Sequence, residues 1–380
     1  MRATAELRHR QILGLLRERP SLRVGDLAAE LGVSAATARR DVEALAAAGL
    51  LDRVHGRVSR PRDDAAAPEA GPGADPPVVG MLLPVADYYY AEVIRGARAA
   101  AARAGVRLVL GISHYSPEAD RVQLAALAES GAAGLLLTPS WPEGLPDAAD
   151  ERRILQLGLP AVLLERRAGP GTALAGLDRV CTAHNEGAGL AVRHLARLGR
   201  RRIGLLARSE TPTARHLAGG YAAAMAALGL EPLVLDLPGP HARDATSDGQ
   251  VVAEVRRAGL DAALVHTDED ALRLLQALHR HGLRVPDDLA LVAYDDEVAA
   301  LADVPLTAVA PPKRQLGETA VSLLLTRLGA PGGGAFGGAC GEGGARRHLD
   351  LLPSLRVRVS CGDTPEPAGV PTPLREHVLS

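Results

Sequence analysis

The sequence is poor in aromatic side chains and almost without lysine. Aromatic residues make up 2% of the 380 residues, and Lys313 is the single lysine. Leucine, valine and alanine must therefore fill the hydrophobic cores. The three cysteines, Cys181, Cys340 and Cys361, show no CxxC or paired spacing. This excludes a disulfide framework and a cysteine zinc site.

Long apolar runs are missing too. No stretch approaches the roughly 18 apolar residues of a membrane span, and the first residues lack the apolar core of a signal peptide. We therefore expect a cytoplasmic protein without a membrane segment. The histidines have no metal-ligand spacing, so we expect no metal and no cofactor. A chain of 380 residues is long enough for two or three folding units.

Positive charge is concentrated at the start of the chain. Residues 1–60 contain 11 Arg against 7 Asp and Glu, a local charge of +4, although the whole chain has a formal charge of -2. A basic head on an acidic body is typical of a DNA-binding module joined to a receptor. An accident of a short segment is the alternative at this point.

The first sixty residues show the pattern of three short helices. Apolar residues recur at helical spacing from residue 6 to 19, where Pro20 follows, and again from residue 24 to 31. Gly32 is placed to end the second helix, and Ser34 to begin a third over 35–47. The tight turn between them predicts a helix-turn-helix.

The third helix has one apolar and one polar face. Ala38 and Val42 lie on the first face, and arginines lie opposite, as a helix in the major groove requires. Residues 50–58 alternate as two short strands around a turn, which predicts a wing. We predict that DNA is contacted by Ser34, Ala36, Thr37, Arg39, Arg40, Arg53, His55 and Arg57. A solvated helix face is the alternative reading of the arginine pair.

This segment resembles the DeoR-type winged helix. The resemblance covers roughly residues 6–58 and depends on the VSxxTxRRD stretch at 33–41 and the RxHG wing at 53–56. It implies a winged helix-turn-helix DNA-binding domain over residues 1–60.

Residues 61–77 are rich in Pro, Ala, Gly and Asp without periodicity and predict a flexible linker.

Beyond residue 78, apolar strands alternate with amphipathic helices. This pattern predicts an α/β fold with parallel sheets flanked by helices, divided into two lobes. Ligands bind at the carboxyl ends of strands in such sheets. Four of the six tyrosines and the only tryptophan follow predicted strands, among polar residues suited to a sugar-like ligand.

This region resembles the LacI/GalR-type sensor domain, which has the type I periplasmic-binding-protein-like fold. The most specific matches are the VPxDLALVxYDD run at 285–296 and the PLTxV segment at 305–309. The resemblance implies a two-lobed ligand-binding domain over 78–361. We expect lobe 1 at about 78–178 and 311–328, and lobe 2 at about 179–310 and 349–361. The Gly-rich stretch 329–345 predicts an enlarged loop before a final strand at 349–359, and residues 362–380 a disordered tail.

The resemblance also implies the ligand contacts, which are Asp87, Tyr89, Tyr90, Arg166, Arg215, Asp268 and Asp295. The sequence departs from the family pattern at three positions. His184 replaces the aspartate of an Asp-Asn pair, Thr267 replaces a common asparagine, and Leu217 stands where an arginine is frequent. The alternative that Asp295 only caps a helix and that the tyrosines only pack stays open.

Together these features predict a non-enzymatic transcriptional regulator, a repressor, that binds operator DNA as a homodimer under the control of a small sugar-like or nucleoside-like ligand between its lobes. The alternative is a DeoR-type regulator with a phosphosugar-binding or isomerase-like body. Against it, the sequence has no nucleophile elbow and no phosphate-binding loop. A periplasmic solute-binding protein is a further alternative, disfavoured by the missing signal sequence and the DNA-binding head.

Overall fold

The alternation of strands and helices predicted beyond residue 78 forms two sheets in the computed structural model of the protein. The structure describes residues 12, 15, 21–34, 37, 38, 42, 51–54, 57–59, 76–141, 144–239, 244–329 and 345–363. Its contacts divide the chain into two units, Met1–Thr182 with Pro312–Leu351 and Ala183–Pro311 with Leu352–Ser380. The chain therefore crosses between the units three times.

The head contains a three-stranded antiparallel sheet. Its strands are β1 (Ser21–Arg23), β2 (Asp52–Val54) and β3 (Arg57–Ser59), in the order β1-β3-β2, and helix α1 spans Val24–Glu30. The predicted wing is thus observed as β2 and β3, whereas β1 was not predicted. Ala38 and Val42, the predicted inward face of the third helix, are buried with Ile12, Leu27 and others.

The first unit has a six-stranded sheet in which every neighbouring pair is parallel, with the order β14-β8-β7-β6-β4-β5. Its strands are β4 (Val78–Leu83), β5 (Arg107–Ile112), β6 (Ala132–Leu137), β7 (Ala161–Leu164), β8 (Asp178–Thr182) and β14 (His348–Leu351). Its helices are α2 (Tyr89–Arg103), α3 (Pro117–Glu129), α4 (Ala148–Gln156) and α9 (Lys313–Arg327). Strands β4, β6 and β7 are almost wholly buried, because helices cover both faces.

The second unit has a sheet of the same size, in the order β10-β9-β11-β12-β13-β15. Its strands are β9 (Ile203–Ala207), β10 (Leu233–Asp236), β11 (Ala262–Val265), β12 (Ala290–Tyr294), β13 (Thr307–Ala310) and β15 (Ser354–Arg356). Only β15 runs antiparallel to its neighbour. The helices are α5 (His184–Arg197), α6 (Pro212–Ala227), α7 (Ala245–Arg257) and α8 (Asp268–Arg280). The predicted α/β architecture is confirmed.

Side-chain caps mark where several helices begin. Ser116 accepts a hydrogen bond from the Ala119 N–H and is followed by proline, the residue favoured in a first helical turn. Thr267 and Asp270 form a reciprocal capping box at the start of α8. These caps fix the points at which the chain leaves a strand end and enters the next helix.

The predicted lobe boundaries need correction. Strand β8 was not predicted, and it pairs with β7 and β14, so residues 179–182 belong to the first unit. The single strand predicted at 349–359 is two strands, β14 in the first sheet and β15 in the second. Pro353 lies between them and offers no N–H to continue a ladder. The 61–75 and 330–344 segments and the tail after residue 363 lie outside the described residues.

A buried carboxylate organises one corner of the first unit. Asp178 accepts hydrogen bonds from the Arg327 guanidinium, with Nε 2.5 Å from Oδ2, and from the Arg347 N–H at 2.6 Å. Arg327 also donates to the Ala345 carbonyl. The end of α9 and the approach to β14 are thus tied to the same side chain.

Helices α2 and α9 approach each other closely through two glycines. A side chain at Gly96 would collide with the backbone carbonyl of Arg314, and one at Gly317 with that of Val93. Each helix therefore provides a glycine where the partner's backbone passes. Any larger residue would force the two helices apart.

Candidate functional site

The first turn of the third head helix is capped as predicted. The Ser34 hydroxyl lies 3.1 Å from the Thr37 N–H, which donates to it, and 2.8 Å from the Thr37 hydroxyl. Burial of Ala38 and Val42 fixes which side of this helix faces the core. The predicted contacts Ala36, Arg39, Arg40 and His55 lie outside the described residues. For Arg53 and Arg57 the structure describes only the backbone, which is in the wing strands.

Tyr89 is held by a hydrogen-bond network at the carboxyl edge of the first sheet. Its hydroxyl donates to Glu165 Oε1 over 2.6 Å and lies 3.0 Å from Thr182 Oγ1. The Thr182 hydroxyl also donates to Glu165, at 2.6 Å. Lys313 Nζ lies 5.5 Å from the centre of the Tyr89 ring, close enough for a cation–π contact. The network joins the end of β7, the end of β8 and the start of α2.

Tyr90 and Arg166 are buried beside this network, and Asp87 is exposed. Arg166 donates from Nε to the Pro139 carbonyl at 2.5 Å and from Nη1 to the Glu165 carbonyl at 2.8 Å. Burial is the main cause that raises the pKa of Tyr90, and the charge of Arg166 opposes it. Tyr90 is therefore neutral and keeps its hydroxyl proton. Sequence reasoning found these residues but not the connecting role of Glu165.

Asp268 proves to be a structural anchor in the second unit. Its Oδ2 accepts hydrogen bonds from three consecutive backbone N–H groups, those of Glu297 (2.6 Å), Val298 (2.6 Å) and Ala299 (3.0 Å). The residue is fully buried. It therefore holds the segment after β12 against α8, and its role as a ligand contact stays a prediction.

Asp295 lies at the end of β12 in an unusual backbone conformation. Its φ is +96°, which few residues other than glycine adopt. The residue is 4% exposed, and its Oδ2 lies 3.9 Å from Nε2 of His266 at the end of β11. The carboxylate is therefore positioned at the strand ends, where the fold places ligands.

His266 belongs to a series of four rings in contact with one another, which we call the histidine–tyrosine cluster: His184, His216, His266 and Tyr294. The Tyr294 hydroxyl is 2.9 Å from His184 Nδ1, and the His266 ring meets the Tyr294 ring edge-on at 6.0 Å between centroids. His184 and His216 are nearly parallel, with centroids 6.3 Å apart. Sequence reasoning did not select the cluster, although His184 was noted as a departure from the family pattern.

His266 is neutral at ordinary pH. Burial is the largest cause that lowers its pKa to about 3, and His184 and Arg208 lower it further while Asp270 opposes them. Arg208 is itself close to Asp270, with Nε 3.3 Å from Oδ2. A neutral imidazole offers one hydrogen-bond donor and one acceptor.

Arg215 is exposed on α6, and Leu217, which replaces the arginine frequent in the family, is fully buried in the core. Within the described ranges no group of three or more His, Cys, Asp or Glu residues could hold a metal ion. Among the same residues, no helix is long and apolar enough to cross a membrane.

Two family models match the chain. Residues 8–63 match the DeoR-like helix-turn-helix domain, and residues 192–361 match the periplasmic binding protein-like domain. Both resemblances predicted from the sequence are thereby confirmed.

Individual relatives are transcriptional repressors. The HTH-type transcriptional repressor PurR of Photobacterium profundum is 28% identical over 292 residues, 75% of this chain and 81% of the relative. The HTH-type transcriptional repressor CytR of Escherichia coli is 27% identical over 258 residues, 65% of this chain and 72% of the relative. A putative LacI-family regulator of Sanguibacter keddieii has a similar structure, with 27% identity, a TM-score of 0.59 and coverage of 75% of this chain and 98% of that one. The chain is a transcriptional regulator with a DeoR-like helix-turn-helix domain and a periplasmic-binding-protein-like sensor domain.

Proposed function

We propose that this regulator is a repressor whose affinity for operator DNA is set by a small polar ligand, a sugar or a nucleoside. The observation that carries the proposal is the polar edge of the second sheet, where His266, Tyr294 and Asp295 lie at the ends of β11 and β12. Buried polar groups at the carboxyl ends of parallel strands are typical of a ligand site.

Ligand contacts in the first unit are assigned to Asp87, Tyr89, Tyr90 and Arg166, and in the second to Asp295 and Arg215. The Tyr89 ring and the neutral Tyr90 hydroxyl suit the apolar faces and hydroxyl groups of a sugar ring. Asp295 can accept two hydroxyl hydrogen bonds. Asp268 supports the site by holding the segment after β12.

Control of DNA binding needs a ligand that binds two states of the regulator unequally. A ligand that favours one state shifts the population toward it, and operator affinity changes by the same coupling free energy. The third helix would read DNA through Ser34, Ala36, Thr37, Arg39 and Arg40. The wing would contact the DNA backbone through Arg53, His55 and Arg57. A two-fold dimer would favour a symmetric operator.

The remaining features follow from this assignment. A transcriptional regulator acts on DNA in the cytoplasm and needs no catalytic group. We therefore propose a cytoplasmic protein without enzymatic activity. The alternative of a phosphosugar isomerase-like body loses support because residues 192–361 match a periplasmic binding protein-like domain.

Operator binding is tested by electrophoretic shift on the promoter region of the chain's own gene. Arg40→Ala should weaken binding at least about tenfold, since a phosphate or guanine contact is lost. Arg103→Ala, an exposed arginine at the end of α2, is the control and should bind as the parent does. Equal affinity of both variants would contradict the assigned reading helix.

Ligand binding is tested by thermal shift with D-ribose, cellobiose, adenosine and cytidine. At least one should stabilise the protein, since a ligand that binds only the folded state raises its stability. Asp295→Asn should abolish that shift, and asparagine tolerates the positive φ of this position. Asp303→Ala removes an exposed carboxylate of the same unit and should leave the shift intact.

A further inference from the structure

The imidazole of His266 faces a carboxylate on one side and has no hydrogen-bond partner among the described residues on the other. The residue follows β11 and is 5% exposed. Its Nε2 faces the Asp295 carboxylate at 3.9 Å. Among the residues that the structure describes, none provides a hydrogen-bond partner for the buried Nδ1 atom. A buried nitrogen left unpaired is unfavourable, so such an atom in a native protein calls for a partner or a functional role that explains it.

The neighbouring carboxylate decides which ring nitrogen carries the proton. A negative oxygen near Nε2 favours the tautomer with the proton on Nε2, because the N–H dipole then points toward the charge. The Nδ1 atom of that tautomer has a free lone pair and acts as an acceptor. The partner it lacks is therefore a hydrogen-bond donor.

The surroundings of His266 are those of a ligand site. Tyr294 contacts its ring edge-on, and the Tyr294 hydroxyl is already paired with His184. Arg208 and Asp270 are paired with each other. Arg208 forms this ion pair through its buried Nε, although that atom has no hydrogen-bond partner among the described residues. None of the described residues donates to Nδ1 of His266 either, so this acceptor is open to a molecule from outside.

We propose that His266 is a specificity-determining ligand residue whose Nδ1 accepts a hydrogen bond from a hydroxyl or ring N–H of the effector. The proposal rests on the proposed function, because it concerns the same edge of the second sheet. It assigns the effector a donor group beside the group that Asp295 binds. A ligand without a donor at that place leaves Nδ1 unpaired and binds weakly.

Two nearly isosteric substitutions separate a ligand contact from a structural histidine. Asparagine places an amide oxygen close to the position of Nδ1 and so keeps a hydrogen-bond acceptor there. Leucine is similar in shape to asparagine but has no hydrogen-bond acceptor. If Nδ1 serves the ligand, His266→Leu should unfold at a temperature equal to or above that of His266→Asn in the ligand-free protein. With a ligand the order should reverse.

The experiment measures binding of D-ribose, cellobiose, adenosine and cytidine to the full chain by calorimetry. For a probe that binds the parent, His266→Leu should raise the Kd at least about tenfold, equal to about 1.4 kcal/mol, and His266→Asn no more than about threefold. Deoxy forms of that probe identify the donor. The hydroxyl that contacts Nδ1 is the one whose removal weakens binding to the parent but not to His266→Leu.

Several outcomes overturn the assignment. Equal Kd values for His266→Leu and the parent would show that the ligand does not use Nδ1, while the proposed function would stand. A ligand-free His266→Leu that unfolds more than about 4 °C below His266→Asn would show that Nδ1 has a structural partner. If none of the four probes binds the parent, the proposed ligand class is refuted, and this assignment with it.

Discussion

Replacing His266 with leucine should change how the stability of the second unit depends on pH. The imidazole is buried beside Tyr294, and burial is the largest cause that lowers its pKa to about 3 from an ordinary value of 6.5. Arg208 and His184 act in the same direction, and Asp270 opposes them. The Asp295 carboxylate lies on the Nε2 side of the ring.

The sign follows from the proton uptake of the two states. Between pH 6.5 and pH 3 the unfolded chain protonates this histidine and the folded protein does not, so acid favours unfolding. The contribution of the neutral residue is complete above pH 6.5 and is lost as the pH falls through that window. The free energy of unfolding falls by about 1.4 kcal/mol for each pH unit below 6.5, and the total loss is about 2 kcal/mol at pH 5.

Scanning calorimetry of the full chain near pH 7.5, 6 and 5 measures the effect. Between pH 7.5 and pH 5 the unfolding temperature of the parent should fall by about 4–8 °C more than that of His266→Leu. The reason is that about 1 kcal/mol corresponds to 2–4 °C in a domain of this size. His279→Leu, at an exposed histidine of α8, should follow the parent. Parallel curves for the parent and His266→Leu would refute a buried neutral His266.

Three further substitutions test the scaffold by urea unfolding. Asp178→Asn should destabilise the first unit by about 3–5 kcal/mol because it leaves the Arg327 guanidinium buried without its counter-charge; a change below about 1 kcal/mol would contradict the pairing. Gly96→Ala should destabilise by about 1–3 kcal/mol through collision with α9, whereas Gly176→Ala, which has open space, should be nearly neutral. Asp268→Asn should destabilise the second unit by about 1–3 kcal/mol through its weaker hold on three N–H groups, and unchanged stability would contradict that role.

Most of the architecture could be predicted because the central strands are short, fully apolar runs between amphipathic helices. Strand β8 was missed because polar residues such as Asp178 and Arg179 interrupt its apolar pattern. Its place in the sheet depends on pairing with β7 and with β14, and β14 comes from a distant part of the chain. Strand β1 was missed for a different reason, because a strand of three residues is too short to show periodicity.

The candidate site was less predictable than the fold. Position after a strand and family resemblance indicated Tyr89, Tyr90 and Asp295. They could not separate these residues from Asp268, whose role depends on three N–H groups about thirty residues further along the chain. The importance of His266 likewise depends on features that only the structure shows. Its Nε2 lies 3.9 Å from Asp295, and its Nδ1 has no hydrogen-bond partner among the described residues.

The Asp178 corner also has a practical use. Arg327, at the end of α9, and Arg347, just before β14, are both bonded to this one carboxylate, so the end of α9 and the start of β14 are held at one place. The free energy of closing a flexible segment grows only slowly with its length, by about 0.6 kcal/mol for each doubling. A fluorescent reporter spliced into residues 330–344 should therefore leave the first sheet folded.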